Sequence, residues 1–229
     1  MSNSNFNDLI SKIFFLDQNC KRTKPFSNLT PFKIRKTNDI IEIQKAATKL
    51  AHHIGLDHLT FVVNYSSLGR KTGGQIEIDN DSCVLIAISE SILDFHECVL
   101  ATLAHEISHK YLHLNKLAFE LNYENEIFTD LAAVYLGFGK IMLKGRFVEQ
   151  ITEGYNFKHT RSQEVGYLNK RQLSFIYLSV NILFNVNPFS ALRNISSSDI
   201  PLLLALRIKY KTYFSRIKQQ KKCSGRLWL

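Results

Sequence analysis

The chain predicts an α+β fold in which a small mixed sheet packs on one long helix, with a mainly helical C-terminal half. Three observations carry that prediction. Before position 90, short runs with strand character follow a segment of helical periodicity. Val99, Leu100, Leu103 and Ile107 then recur at the 3.6-residue spacing of a helix. Beyond Gly145, Lys170 to Phe184 and Pro201 to Gln220 read as helices, while Glu149 to Asn156 is ambiguous. With 229 residues, 45% of them hydrophobic, the chain is long enough to bury a sizeable core.

The elements follow in order. Residues 1–39 read as an N-terminal extension: Met1 to Asp8 is polar, and Ile10 to Leu16 is a short mixed segment. No basic region followed by an apolar run opens the chain, so no secretory signal is expected. The core spans 40–145. It begins with a helix over Ile40 to Ile54 and a strand over Leu59 to Asn64. A loop over Ser66 to Gly74 is marked by Gly69, Gly73 and Gly74, and lacks the glycine spacing and Gly-Lys-Ser/Thr ending of a phosphate loop. Strands are expected at Gln75 to Ile78 and Val84 to Ser89. The helix around Leu103 comes next, with Ser108 and Lys110 lying away from its apolar stripe. A further helix runs from Asn125 through Leu131, Val134, Tyr135 and Phe138. Residues 146–229 form the helical C-terminal part.

Within the first of these helices stands His105-Glu106-Ile107-Ser108-His109. Residues four apart share a helix face, so both imidazoles can converge on one ion. Zinc suits that arrangement, because a catalytic zinc takes three protein ligands and keeps one position open for water. Glu106 follows the first histidine, where its carboxylate reaches that water as a general base rather than reaching the metal. Chance would place the pattern in roughly one chain in seventy of this composition, so its weight comes from its surroundings. Downstream, Glu126 supplies a third ligand. Asp130, four residues on, accepts a hydrogen bond from the free nitrogen of a ligating histidine. The competing reading makes both acids ornaments of a solvated first turn.

These residues resemble the gluzincin metallopeptidases, in which His-Glu-x-x-His is followed on a later helix by Asn-Glu-x-x-x-Asp, here Asn125 to Asp130. The resemblance covers roughly Ile92 to Gly139. The segment Asp94 to Leu114 with its preceding strand is similar to compact members such as the ImmA/IrrE-type peptidases and the minigluzincins. The resemblance implies a zincin-like fold, with His105, His109 and Glu126 as zinc ligands and Glu106 as base. It makes Asp130 the partner of one histidine. The longer metzincin motif is absent, since Leu112 and Asn115 stand where it needs glycine and histidine. His113 is left out of the ligand set. Peptide hydrolysis also needs a donor for the developing oxyanion. Tyr155, His159 and Tyr167 are the downstream candidates.

Composition bounds the alternatives. The longest strongly apolar stretch, Leu173 to Phe184, is too short to span a bilayer, so no membrane insertion is expected. Cys20, Cys83, Cys98 and Cys223 form no CxxC pair, which suits a reducing cytoplasm. The net charge of +9 is concentrated in a C-terminal arm, where Arg207, Lys209, Lys211, Arg216, Lys218, Lys221, Lys222 and Arg226 follow Asp199 with no intervening acid. Such an arm offers contacts to nucleic acid or an acidic partner, or is a solvated helix face. Three function classes stand: a zinc metallopeptidase acting on a protein or peptide, with a regulatory role in stress or defence implied by the family resemblance; a zinc-binding module without turnover; and a nucleic-acid-binding protein using the basic arm.

Overall fold

The computed structural model describes residues 3–20, 22–68, 72–79, 82–117, 123–154 and 157–224, with side chains described outside 3–5, 152–159 and 222–224. The fold is α+β, as the periodicity predicts, and one hydrophobic core runs from Phe6 to Ile217.

Helix α2 (Ile40–His53) starts at Asp39, whose carboxylate accepts the Ile41 N–H at 3.0 Å and so satisfies one free donor of the first turn. Its buried stripe of Ile43, Ala46, Ala47 and Leu50 contributes to the core beside strand β1 (Thr60–Ser66). Strand β3 (Cys83–Ser89) is central in the sheet. It pairs in parallel with β1, Thr60 opposite Cys83, and antiparallel with β2 (Gly74–Ile76), Gly74 opposite Ile88. Alternation then sorts the faces: Phe61, Val63, Val84, Ile86 and Ile88 are buried, while Val62 and Leu85 are exposed. The order β1-β3-β2 leaves β2 as an edge strand.

Helix α3 (His96–Leu114) carries His105 and His109 through the middle of the molecule, and every residue from Cys98 to Leu112 is buried. The expected one-sided stripe is therefore wrong for Ser108 and Lys110, which are fully buried. The reason is that α3 is covered all round, by the sheet, α2 and two later helices. Burial forces polar partners. Ser108 Oγ donates to the Ala104 carbonyl at 2.7 Å, and Lys110 Nζ donates to the Ile78 carbonyl at 2.6 Å, tying the segment just past β2 to the helix.

Helix α4 (Tyr123–Ala133) continues through a wide π-type turn, Val134–Phe138, into α5 (Gly139–Gly145). The turn kinks at Gly137, whose φ of 102° lies in the left-handed region. The Gly137 carbonyl accepts the Leu29 N–H at 2.9 Å, and a Cβ there would overlap the Ser27 carbonyl oxygen. Gly137→Ala therefore combines backbone strain with a collision against main chain. It is expected to cost on the order of 2–4 kcal/mol, read as a lower urea midpoint at unchanged slope.

Two parts of the chain differ from expectation. Residues 3–19, of which Ile10 to Leu16 read only as a mixed segment, form helix α1 (Asn3–Asn19). Its Phe6, Leu9, Ile13 and Leu16 are buried against α4 and α6 (Lys170–Leu183). Directly after Gly145, in the stretch that includes the ambiguous Glu149 to Asn156, the chain forms a hairpin, β4 (Phe147–Gly154) with β5 (Phe157–Glu164), Phe147 opposite Glu164. Its sequence is polar and its Phe147 and Ile151 are exposed, so backbone pairing rather than apolar patterning supports it. Gln150 Nε2 donates to the Asp94 carbonyl at 2.8 Å, and Arg161 pairs with the Asp94 carboxylate at 2.7 Å.

Helix α6 opens with a reciprocal cap between Asn169 and Gln172. A short helix α7 (Pro188–Leu192) follows. The single last helix expected over Pro201 to Gln220 is two, α8 (Ile200–Lys209) and α9 (Lys211–Ser224), with Tyr210 between them. The buried Tyr210 ring packs 4.9 Å from Phe6 and 5.3 Å from Phe175, and the break lets both helices lie on α6. Among the described residues no helix is long and apolar enough to cross a membrane.

Candidate active site

Helical spacing brings His105, Glu106 and His109 to one region of α3, and the first turn of α4 supplies Glu126. The His105 and His109 Nε2 atoms face each other at 3.1 Å, and Glu126 Oε2 lies 3.0 Å from the first and 3.3 Å from the second. Among the described residues, this is the His/Cys/Asp/Glu group whose ligand atoms converge closely enough to hold a metal.

The proton positions follow from the other ring nitrogens. Asp130 is 1% exposed, and its Oδ1 lies 2.8 Å from His105 Nδ1. A carboxylate only accepts, so His105 Nδ1 carries hydrogen and its Nε2 presents a lone pair. Thr129 Oγ1 donates to the Asn125 carbonyl at 2.9 Å, so at 3.1 Å it accepts from His109 Nδ1, with the same result for that ring. With both rings neutral, two imidazole lone pairs and a carboxylate oxygen thus converge with no hydrogen between them. In neutral tautomers the arrangement is repulsive and calls for a cation. The electrostatics agree. Burial opposes charge on His105, yet Asp130 and Glu126 outweigh it and push its pKa up to about 10. Burial likewise opposes charge on Glu126, and the two histidines pull it down to about 2.

A bound metal would meet the same demand. Three ligands about 2.0 to 2.1 Å from a tetrahedral zinc are spaced about 3.3 Å apart, and the observed edges of 3.0, 3.1 and 3.3 Å match. Two imidazoles and one carboxylate are also a donor set that zinc accepts in catalytic sites.

Glu106 is outside this triangle. It is 6% exposed and its pKa is raised, chiefly by burial and against the pull of the two histidines. A Cβ at Gly74 would lie 2.5 Å from Thr102 Cγ2 and 3.1 Å from Glu106 Oε1. Strand β2 comes this close to α3 only because Gly74 is bare, and the approach sets the strand beside the Glu106 carboxylate.

Asp130 does a second job. Its Oδ2 accepts the backbone N–H of Tyr167 at 2.6 Å and of Leu168 at 2.9 Å. Arg146 holds the same segment from the end of α5, its Nη1 donating to the Val165 carbonyl at 2.6 Å, its Nε to the Leu168 carbonyl, and its Nη2 pairing with Glu164 at 2.9 Å. So fixed, the Tyr167 ring stacks on His105 with centroids 5.8 Å apart, and Tyr123 meets it edge-on at 6.0 Å. Burial, then Glu126 and Glu106, push the Tyr167 phenol up to about 12, so it keeps its proton and remains a donor. Of the other oxyanion candidates, Tyr155 lies outside the described residues. His159 sits in β5 opposite Thr152, and its side chain also lies outside them. His113 is half-buried near the end of α3 and is not in the ligand group.

These groups line a cleft of about 690 Å³, bordered by Gly73 to Ile76 and Ile78, by the three candidate ligands and Glu106, and by Glu164 to Tyr167. Sequence reasoning missed Thr129, Gly74, Arg146 and Tyr123. Thr129 left a signal, as a polar residue inside an apolar run one turn past Glu126. The others left none, because their roles arise from contacts far along the chain.

The chain matches no protein-family model, no curated protein and no solved structure.

Proposed function

We propose that this chain is a zinc-dependent hydrolase of peptide bonds, zincin-like in fold and gluzincin-like in its ligand set. One observation carries the reading: Asp130 and Thr129 fix both histidine tautomers so that three lone-pair atoms converge at 3.0 to 3.3 Å, with a buried carboxylate next to them on the same helix.

His105, His109 and Glu126 would hold a zinc ion, which would supply Lewis acidity and lower the pKa of water toward 7. Glu106 takes the proton of the attacking water and delivers it to the departing amine nitrogen, a transfer suited to a carboxyl raised by burial. Tyr167 donates its hydroxyl hydrogen toward the carbonyl oxygen as negative charge gathers there. Among the described residues β2 is an edge strand, and its outer edge, beside Glu106, offers backbone groups to an extended peptide and favours a protein or peptide substrate. The thiols of Cys20 and Cys98, which form no disulfide, support a cytoplasmic setting.

Metal analysis tests the ligand set. Wild-type protein is expected to hold about one zinc per chain, and His105→Ala, His109→Ala and Glu126→Ala to lose or weaken it. Wild-type protein that takes up no zinc after reconstitution would end the proposal. Zinc without hydrolysis across a broad peptide library would make the chain a binding module. Tyr167→Phe separates Tyr167 from the rest: kcat should fall about a hundredfold with KM and zinc content little changed.

A further inference from the structure

Helix α8 is apolar on two sides. Leu203 and Leu206, with Tyr210 after them, are buried toward α6, as expected of a packed helix. At about 100° per residue, Leu204, Ala205 and Ile208 fall on the opposite side. All three are exposed, Leu204 at 45% and Ile208 at 79%. Globular helices place polar groups there, so a bare Leu-Ile pair at i, i+4 is a ridge awaiting a partner.

The flanks say which partner. Arg207 and Lys209 stand on either side of the ridge, and Lys211, Arg216 and Lys218 continue along α9, all exposed. No acid follows Asp199 in the chain. Among the described residues these five cations have no carboxylate within ion-pair distance. Lys12, Lys24, Lys45, Lys144, Arg146, Arg161 and Lys170 elsewhere each have one.

We infer that the exposed face of α8, extended by the cations of α9, is a docking surface for an anionic phospholipid bilayer, which the chain touches peripherally. A convex apolar ridge enters the headgroup layer, while Arg207 and Lys209 keep their charges at lipid phosphates with their stems along the acyl boundary. Nucleic acid would use the cations and leave Ile208 bare. A second copy packed ridge to ridge by two-fold symmetry would bring like charges together. The cytoplasmic leaflet is the anionic one, consistent with the setting proposed above.

Co-sedimentation of the full chain with vesicles tests this. Phosphatidylcholine containing phosphatidylserine should bind the protein, and phosphatidylcholine alone should not. Ile208→Ser, at a site too exposed to disturb folding, should weaken partitioning about tenfold. Arg207→Ser and Lys209→Ser should each weaken it about fivefold. The inference is overturned by equal binding to both vesicle types, by no binding, or by partitioning that ignores Ile208. A duplex DNA affinity exceeding that for vesicles, or a concentration-dependent dimer abolished by Ile208→Ser, also overturns it.

Discussion

Glu106→Gln is expected to lower peptide hydrolysis by 10² to 10⁴, the usual range for loss of a general base, while zinc content stays at the wild-type level. The substitution keeps the side chain's shape and removes only its ability to take a proton. Shape matters here because Glu106 Oε1 abuts Gly74 beneath β2, where truncation would leave a gap between strand and helix. Zinc content should hold because the converging atoms belong to His105, His109 and Glu126. Turnover of a peptide recovered from a library, measured beside atomic absorption on the same preparations, reads both quantities. Activity within tenfold of wild type would remove Glu106 from the chemistry, and loss of zinc would move it into the ligand set.

Asp130→Asn should damage the site through orientation rather than through its ligands. One carboxylate oxygen accepts from His105 Nδ1 and the other from two backbone N–H groups, so the side chain works only as an acceptor at both ends. An amide must turn its NH₂ toward one of them. Facing Tyr167 and Leu168, it sets donor against donor in a buried site. Facing His105, it flips the tautomer and puts hydrogen on the nitrogen that faces His109 and Glu126. Zinc affinity is expected to fall 10- to 100-fold. Metal-free stability should fall by about 3 kcal/mol, since a buried charge-assisted pair is broken on one side. Competition with a chelator measures the first, and urea unfolding in excess chelator the second. Unchanged zinc affinity would show that His105 needs no such partner.

Much of the local architecture was legible in the residues. Apolar spacing located α2 and α6 within a residue of their ends and placed a helix around Leu103 and another from Asn125, though it ran the latter unbroken through Phe138, and strand character located β1 and β3. The hairpin escaped because the few apolar residues of β4, Phe147, Val148 and Ile151, do not alternate with polar ones. Helix α1 escaped because Phe6, Leu9, Ile13 and Leu16 become a buried stripe only when α4 and α6 are there to cover them. Ser108 and Lys110 looked like surface positions because periodicity assumes a solvated side, which α3 does not have.

The candidate site divides along the same line. The sequence by itself determined that His105 and His109 share a face and that Glu106 stands beside them, because four residues make about one helical turn whatever surrounds the helix. It also nominated Glu126 and Asp130, four apart on a second helix. Only the tertiary structure decided that Glu126 meets both imidazoles, that Asp130 serves His105 while Thr129 serves His109, and that Tyr167, held by Asp130 and Arg146, lies over the first histidine. Those contacts join residues 17 to 62 positions apart. Helical periodicity acts over a turn or two, and pairings at that distance depend on how whole elements pack.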